Sequence, residues 1–226
     1  MSDLEIPKLK LAKDFRHIAV EGVIGAGKTT LTKLLQESLG GRLVLEEVED
    51  NPFLEKFYQN REGYAFQAQL HFLMSRYFQL RNNAEQQDLL APLLISDYTF
   101  EKDRIFAALN LNGDELNMYD KIVGALDSTH IPEPDFIIYL QTPVNKLLNQ
   151  IRMRNRSMER KIDPEYLEAL VELYNRHFYN KKNCPVLIIN TEHIDFVKHN
   201  EDLIEVLKRI AECPKGLSYF SPISAG

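Results

Sequence analysis

Gly22-Val23-Ile24-Gly25-Ala26-Gly27-Lys28-Thr29 follows the short apolar stretch Ile18 to Glu21 and runs straight into the helical pattern Lys28 to Leu39. The stretch fits GxxxxGK[ST], and its place between a strand and a helix decides the fold. The glycines let the backbone N–H groups from Gly22, Val23, Ile24, Gly25, Ala26 and Gly27 turn toward phosphate oxygens, while the helix start adds positive partial charge. Lys28 reaches the outer phosphates, and Thr29, followed by Thr30, brings a hydroxyl suited to Mg²⁺. A glycine-rich turn without a ligand is the plain alternative, and the strand–loop–helix context argues against it.

On either side of that loop, short apolar runs bounded by turn residues alternate with longer helical patterns. This is the signature of an α/β fold, a parallel sheet with helices on both faces. Strands are predicted at Ile18 to Glu21, Leu43 to Glu46, Leu93 to Asp97, Phe136 to Leu140 and Val186 to Asn190. Helices are predicted at Lys28 to Leu39, Asn51 to Asn60, Ala65 to Asp88, Phe100 to Leu109, Asp114 to Asp127, Pro143 to Arg154, Pro164 to Lys182 and Asn200 to Ala211. The sheet is therefore expected to be five-stranded. Ligands of such sheets sit outside the carboxyl ends of the strands, where Glu46 and Asp97 both fall. An apolar strand ending in Asp97 suits Mg²⁺, held directly or through water. An Asp in that position is otherwise a turn or cap residue.

The 226 residues, 44% of them hydrophobic and 27% charged, suit one α/β domain spanning the chain, with loose tails at 1–15 and 216–226. A formal net charge of −6 disfavours a broad grip on nucleic acid or an anionic membrane. The chain start mixes charges with isolated apolar residues, unlike a signal peptide, and no stretch is apolar enough to span a bilayer. A soluble cytoplasmic protein is expected. Cys184 and Cys213 form no CxxC pair and read as reduced thiols.

Nothing in the chain matches the NKxD element that reads guanine, and the length leaves no room for a motor ATPase. The segment Leu45-Glu46-Glu47-Val48-Glu49-Asp50-Asn51-Pro52 crowds carboxylates at the end of the second strand, an arrangement that is destabilising without a task or a cation. A nucleoside hydroxyl benefits from a carboxylate that takes its proton, whereas a nucleoside monophosphate already offers an anionic oxygen. Glu46 in this place thus favours an alcohol acceptor. Glu47, Glu49 and Asp50 suit the positive end of the next helix.

Glu46-Glu47-Val48, together with the glycine loop, resembles the deoxynucleoside kinases, the family of deoxyadenosine, deoxyguanosine and deoxycytidine kinases. The resemblance runs through nearly the whole chain. It implies Glu46 as general base, with Glu47 standing where Pro is common. Tyr58, Gln69 and Arg76 reproduce the family's Tyr, helical Gln and Arg, and residues seven apart on a helix face nearly the same way. The implied roles are base recognition for Gln69 and Arg76 and a bond from Tyr58 to the sugar 3′-hydroxyl. Asp103 matches the Asp that pairs with the base-reading Arg, and Phe66 and Phe100 are candidate walls for the base.

Gln150 to Lys161 resembles the family's short arginine-rich lid. Arg152, Arg154 and Arg156, at every second residue, cannot share one helix face, so the helix is expected to end among them. The resemblance gives Arg154 and Arg156 the γ-phosphoryl charge, Arg152 the nucleotide, and Glu159 the 3′-hydroxyl beside Tyr58. Asp195-Phe196 matches the element that lies against adenine. One departure stands out. After the third strand the family carries Glu or Asp followed by Arg, whereas here the pair is Asp97-Tyr98; Arg152 or Arg160 is the candidate replacement.

Together these readings predict transfer of the γ-phosphoryl of ATP, with Mg²⁺ at Thr29 and Asp97, to a deoxynucleoside. Arg76 takes the space of a thymine methyl, which favours purine deoxynucleosides or deoxycytidine, deoxyadenosine first. A nucleoside monophosphate kinase and a nucleotide-binding regulatory protein without turnover are the rivals. A homodimer through the helices at Ala65 to Asp88 and Asp114 to Asp127 is implied by the resemblance.

Overall fold

A computed structural model describes residues 6–85, 93–127, 129, 131–160 and 162–222. Its centre is β1 (His17–Gly22), every residue of which is buried. A strand buried on both faces belongs in the middle of a parallel sheet. β1 lies between β3 (Leu94–Ser96) and β4 (Phe136–Gln141), and the sheet runs β2-β3-β1-β4-β5-β6, all parallel, with β2 at Arg42–Val44 and β5 at Val186–Asn190. The chain winds to one side of β1 for β2 and β3 and to the other from β4 onward. That reversal puts a crevice at the carboxyl ends of β1, β2 and β3, and the glycine loop opens into it.

The parallel α/β architecture is as expected, with six strands in place of five. β6 (Leu217–Phe220) pairs with β5 where a loose tail was expected, and the Val186 N–H donates to the Gly216 carbonyl at 2.9 Å. Its residues alternate between exposed and half-buried, as an edge strand's do. The N-terminal segment is also tied down. Leu9 and Ala12 give backbone bonds to Ser38 and Ala211, and the Phe15 ring stacks on Phe136 at 5.3 Å.

Helices α1 (Lys28–Leu39), α5 (Gly113–Ala125), α6 (Val144–Arg154), α7 (Pro164–Tyr179) and α8 (Asn200–Ala211) fall close to the predicted spans. α2 is shorter, Leu54–Gln59. Asn51 is the reason: its side chain accepts the Phe53 N–H at 3.0 Å and donates to the Ala68 carbonyl, while Val48–Asp50 form a separate 3-10 turn. α3 begins earlier than predicted and covers Arg61–Glu85; residues 86–88 of the predicted helix lie outside the described residues. α4 covers Lys102–Asn110. Among the described residues no helix is long and apolar enough to cross a membrane, and both cysteines are free thiols.

Candidate active site

At the carboxyl ends of β1, β2 and β3 lies a pocket of about 440 Å³, a size suited to a small molecule. Backbone builds its floor. The Asp97 N–H donates to the Val44 carbonyl of β2 at 3.1 Å, and Asp97 Oδ1 accepts the Glu46 N–H at 2.8 Å. Oδ2 of the same carboxylate accepts the Thr29 hydroxyl at 2.5 Å. A hydroxyl and a carboxylate side by side are hard oxygen donors, which fits a Mg²⁺ that keeps most of its waters. Among the described residues no group of three or more His, Cys, Asp or Glu side chains forms a fuller metal cage.

Glu46 faces the pocket between two cations. Its Oε1 accepts from Arg76 Nε at 2.9 Å and Nη2 at 2.6 Å, and its Oε2 accepts from Lys102 Nζ at 2.6 Å. Burial by itself raises the carboxyl pKa, but Lys102 and then Arg76 outweigh it and hold the group well below the usual carboxylate range. Glu46 is therefore ionised at neutral pH. Arg76 is braced from behind, with Nη1 on Asp103 Oδ1, while Asp103 Oδ2 accepts the Tyr119 hydroxyl at 2.5 Å. Gln69 Nε2 donates to the Asp103 carbonyl at 2.9 Å. Ala65, Gln69, Phe72 and Arg76 line the pocket because spacings of four, three and four keep one stripe of α3 on the same side.

On the phosphate side, α1 starts without a side-chain cap, so its first amides are left for an anion. Gly25 and Gly27 take φ values of 86° and 91°, which strain any residue with a Cβ. At Gly25 a Cβ would also stand 2.9 Å from Ile151 Cγ1, since α6 presses on the loop. Lys28 Nζ donates to the Val23 carbonyl at 3.1 Å; burial, reinforced by the like charge of Lys102, lowers its pKa to about 8.

The arginine segment closes the pocket from the side. α6 ends at Arg154, Asn155 takes a left-handed φ of 55°, and a 3-10 turn covers Ser157–Glu159. Glu159 is buried; Arg154 donates to its Oε2, and Arg156 lies 3.6 Å from its Oε1 and 3.3 Å from Glu49. Tyr58 of α2 shares this corner, where burial and then Tyr166 and Glu159 push its phenol well above its ordinary pKa and keep it a neutral donor.

The deoxynucleoside kinase family profile matches residues 18–213. The chain belongs to that family. It is 36% identical to the deoxyguanosine kinase of Bacillus subtilis (strain 168) over 199 residues, 86% of this chain and 96% of the relative. It is 31% identical to the deoxyadenosine/deoxycytidine kinase of the same organism over 218 residues, 93% of this chain and 96% of the relative. The structure of deoxyadenosine kinase from M. mycoides with bound dCTP superposes with a TM-score of 0.72 at 28% identity, covering 86% of this chain and 99% of that one. The protein is thus a kinase that phosphorylates deoxynucleosides.

In this deoxynucleoside kinase the pocket gathers Lys28, Thr29, Glu46, Tyr58, Gln69, Arg76, Asp97, Arg154, Arg156 and Glu159, with Asp103 directly behind Arg76. Some expectations need correction. Phe66 is one residue past Ala65, about 100° round the helix, and lies outside the pocket. Phe100 packs instead against Tyr77, with ring centroids 6.4 Å apart. Phe72 and Phe106 line the pocket instead, together with the aromatic residues Phe57, Tyr58 and Tyr166. Arg152 is exposed and outside the pocket, as is Arg160, whose Nε donates to Asn155; Lys161 lies outside the described residues. By contrast, Phe196 stands on the nucleotide side, 3.3 Å from where a Gly27 Cβ would be, and Asp195 accepts the N–H groups of Val197 and Lys198.

Sequence reasoning missed Glu21 and Lys102. Glu21 is fully buried at the end of β1, and its Oε1 accepts the Thr99 N–H and hydroxyl at 2.7 and 2.9 Å. Its signal was a carboxylate inside an apolar strand. For Lys102 the signal was a cation in the first turn of a helix, against the dipole.

Proposed function

We propose that this kinase moves the γ-phosphoryl of ATP to the 5′-hydroxyl of a deoxynucleoside, a purine deoxynucleoside or deoxycytidine ahead of thymidine, with deoxyadenosine first. The observation that carries this reading is the ionised Glu46 carboxylate, which shares one pocket with Lys28 and is tied through its own N–H to Asp97. The acceptor oxygen bonds to the γ-phosphorus as the bond to the bridging oxygen breaks, the hydroxyl proton passes to Glu46, and ADP leaves. In a loose transition state the proton departs late, when the oxygen has become acidic, so a weakly basic carboxylate suffices. Lys28, Arg154 and Arg156 stabilise the charge on the transferring group. Thr29 and Asp97 hold Mg²⁺, which supplies charge neutralisation at the phosphates.

Tyr58 and Glu159 converge on the corner where a sugar 3′-hydroxyl fits. With Gln69 Nε2 engaged by Asp103, its amide oxygen is left to accept from an exocyclic amine. Arg76 fills the space of a thymine methyl, so adenine and cytosine suit the pair. The homodimer implied through α3 and α5 is supported by exposed Phe78 and Met118 on those helices, and light scattering tests it.

An ADP-release assay over the four deoxynucleosides tests the whole reading. The expected result is acceptor-dependent release with kcat/KM for deoxyadenosine above that for thymidine. Thymidine as best substrate overturns the base assignment, and release without any acceptor dependence overturns the transfer.

A further inference from the structure

Lys102 combines two unfavourable placements for a cation. It is the first residue of α4, where the helix already carries positive partial charge, and it is only 3% exposed. Its main chain has an anchor of its own. Its N–H reaches the Thr99 carbonyl and hydroxyl at 3.3 Å each, and Thr99 is in turn held by Glu21. From there the ammonium enters the pocket, donates to Glu46 Oε2 at 2.6 Å, and adds its charge to that of Lys28. Both ammonium groups line the one pocket beside Glu46 and Asp97, and an anion arriving there is attracted to each of them.

The residue after Asp97 does not fill this role. Tyr98 is fully buried, packs with Val44, Leu80 and Leu94, and gives its hydroxyl to Gln79 on the far side of the β2 loop. We propose that Lys102 is a catalytic residue that binds the transferring phosphoryl group on its acceptor side, supplying the positive charge missing after Asp97. This inference rests on the phosphoryl transfer proposed above. Lys102 keeps one N–H on Glu46 and turns another to a γ-phosphoryl oxygen as the new P–O bond forms, which lines up base, acceptor oxygen and phosphorus. The hydroxyl proton still goes to Glu46.

A double-mutant cycle separates this from a counter-ion role, in which Lys102 merely neutralises Glu46. Lys102→Met is expected to lower kcat about 10²- to 10³-fold, and Lys102→Arg to recover part of the loss. The deciding comparison is Glu46→Gln with and without Lys102→Met. A further fall in residual kcat of about tenfold or more supports the phosphoryl contact, because the Glu46 carboxylate is no longer there for Lys102 to neutralise. Equal residual kcat in the two overturns it. Should Lys102→Met alone fail to fold, the Glu46→Gln pair still carries the comparison, since Glu46 is no longer left as a carboxylate without its ammonium. Loss of acceptor-dependent ADP release in the wild-type protein would overturn the transfer reading instead; a flat cycle in an active enzyme removes Lys102 alone.

Discussion

Arg76 gives two of its N–H groups to a single oxygen of Glu46, from Nε at 2.9 Å and from Nη2 at 2.6 Å. The carboxylate proposed to receive the acceptor's proton is thereby fixed in direction as well as in charge. Glu46→Gln keeps the shape and removes the basic oxygen, so kcat is expected to fall about 10²- to 10⁴-fold with the KM for ATP unchanged. Steady-state ADP release decides the matter, and a near-normal kcat would take Glu46 out of the chemistry.

Phe72 lines the pocket and carries the Arg76 guanidinium 4.8 Å from its ring centroid, whereas Phe66 lies outside. Phe72→Ala is expected to raise the deoxynucleoside KM about 3- to 10-fold, in line with an aromatic contact of about 1 kcal/mol. Phe66→Ala should leave that KM as it is. The reverse pattern would restore Phe66 as the base wall.

His17 opens β1 with its ring between the Pro132 carbonyl at 3.2 Å and the Ser96 hydroxyl at 2.8 Å. Burial lowers its pKa from 6.5 to about 4. The unfolded chain takes up this proton first as pH falls, so His17 stabilises the fold fully above about pH 6.5. That contribution, about 3 kcal/mol, is lost between there and about pH 4. Urea unfolding across this window should be less steep with pH for His17→Gln, and identical slopes would contradict the assignment.

Ending the chain after Lys215 removes β6 and opens the edge of β5. The loss of a short ladder, at about 1 kcal/mol per hydrogen bond, is expected to lower the melting temperature and promote association through the bare edge. An unchanged melting curve would make β6 ornamental.

The glycine loop, the central strands and the stripe of Gln69 and Arg76 were legible because their signals are local: a motif, an apolar run, a helical spacing. β6 was not, because Leu217–Phe220 is short and half-exposed and its partner strand lies 27 or more residues earlier in the chain. Naming Phe66 as a wall for the base failed for another reason. Phe66 lies off the stripe of Gln69 and Arg76, whereas Phe72, three residues after Gln69 and four before Arg76, shares it, so the helical spacing applied from Gln69 points to Phe72. Lys102 escaped notice because a lysine in an unfolded string looks solvated; its burial depends on Thr99 and Glu21, which join α4 to β1 across 78 residues.

Asp97 carries two oxygens on one planar carboxylate. Oδ2 holds Thr29 on the nucleotide side, and Oδ1 holds the main chain of Glu46 on the alcohol side. Because a carboxylate is planar, turning it about the Cβ–Cγ bond moves the contacts to Thr29 and to the Glu46 peptide together. The two halves of the proposed reaction thus share one carboxylate.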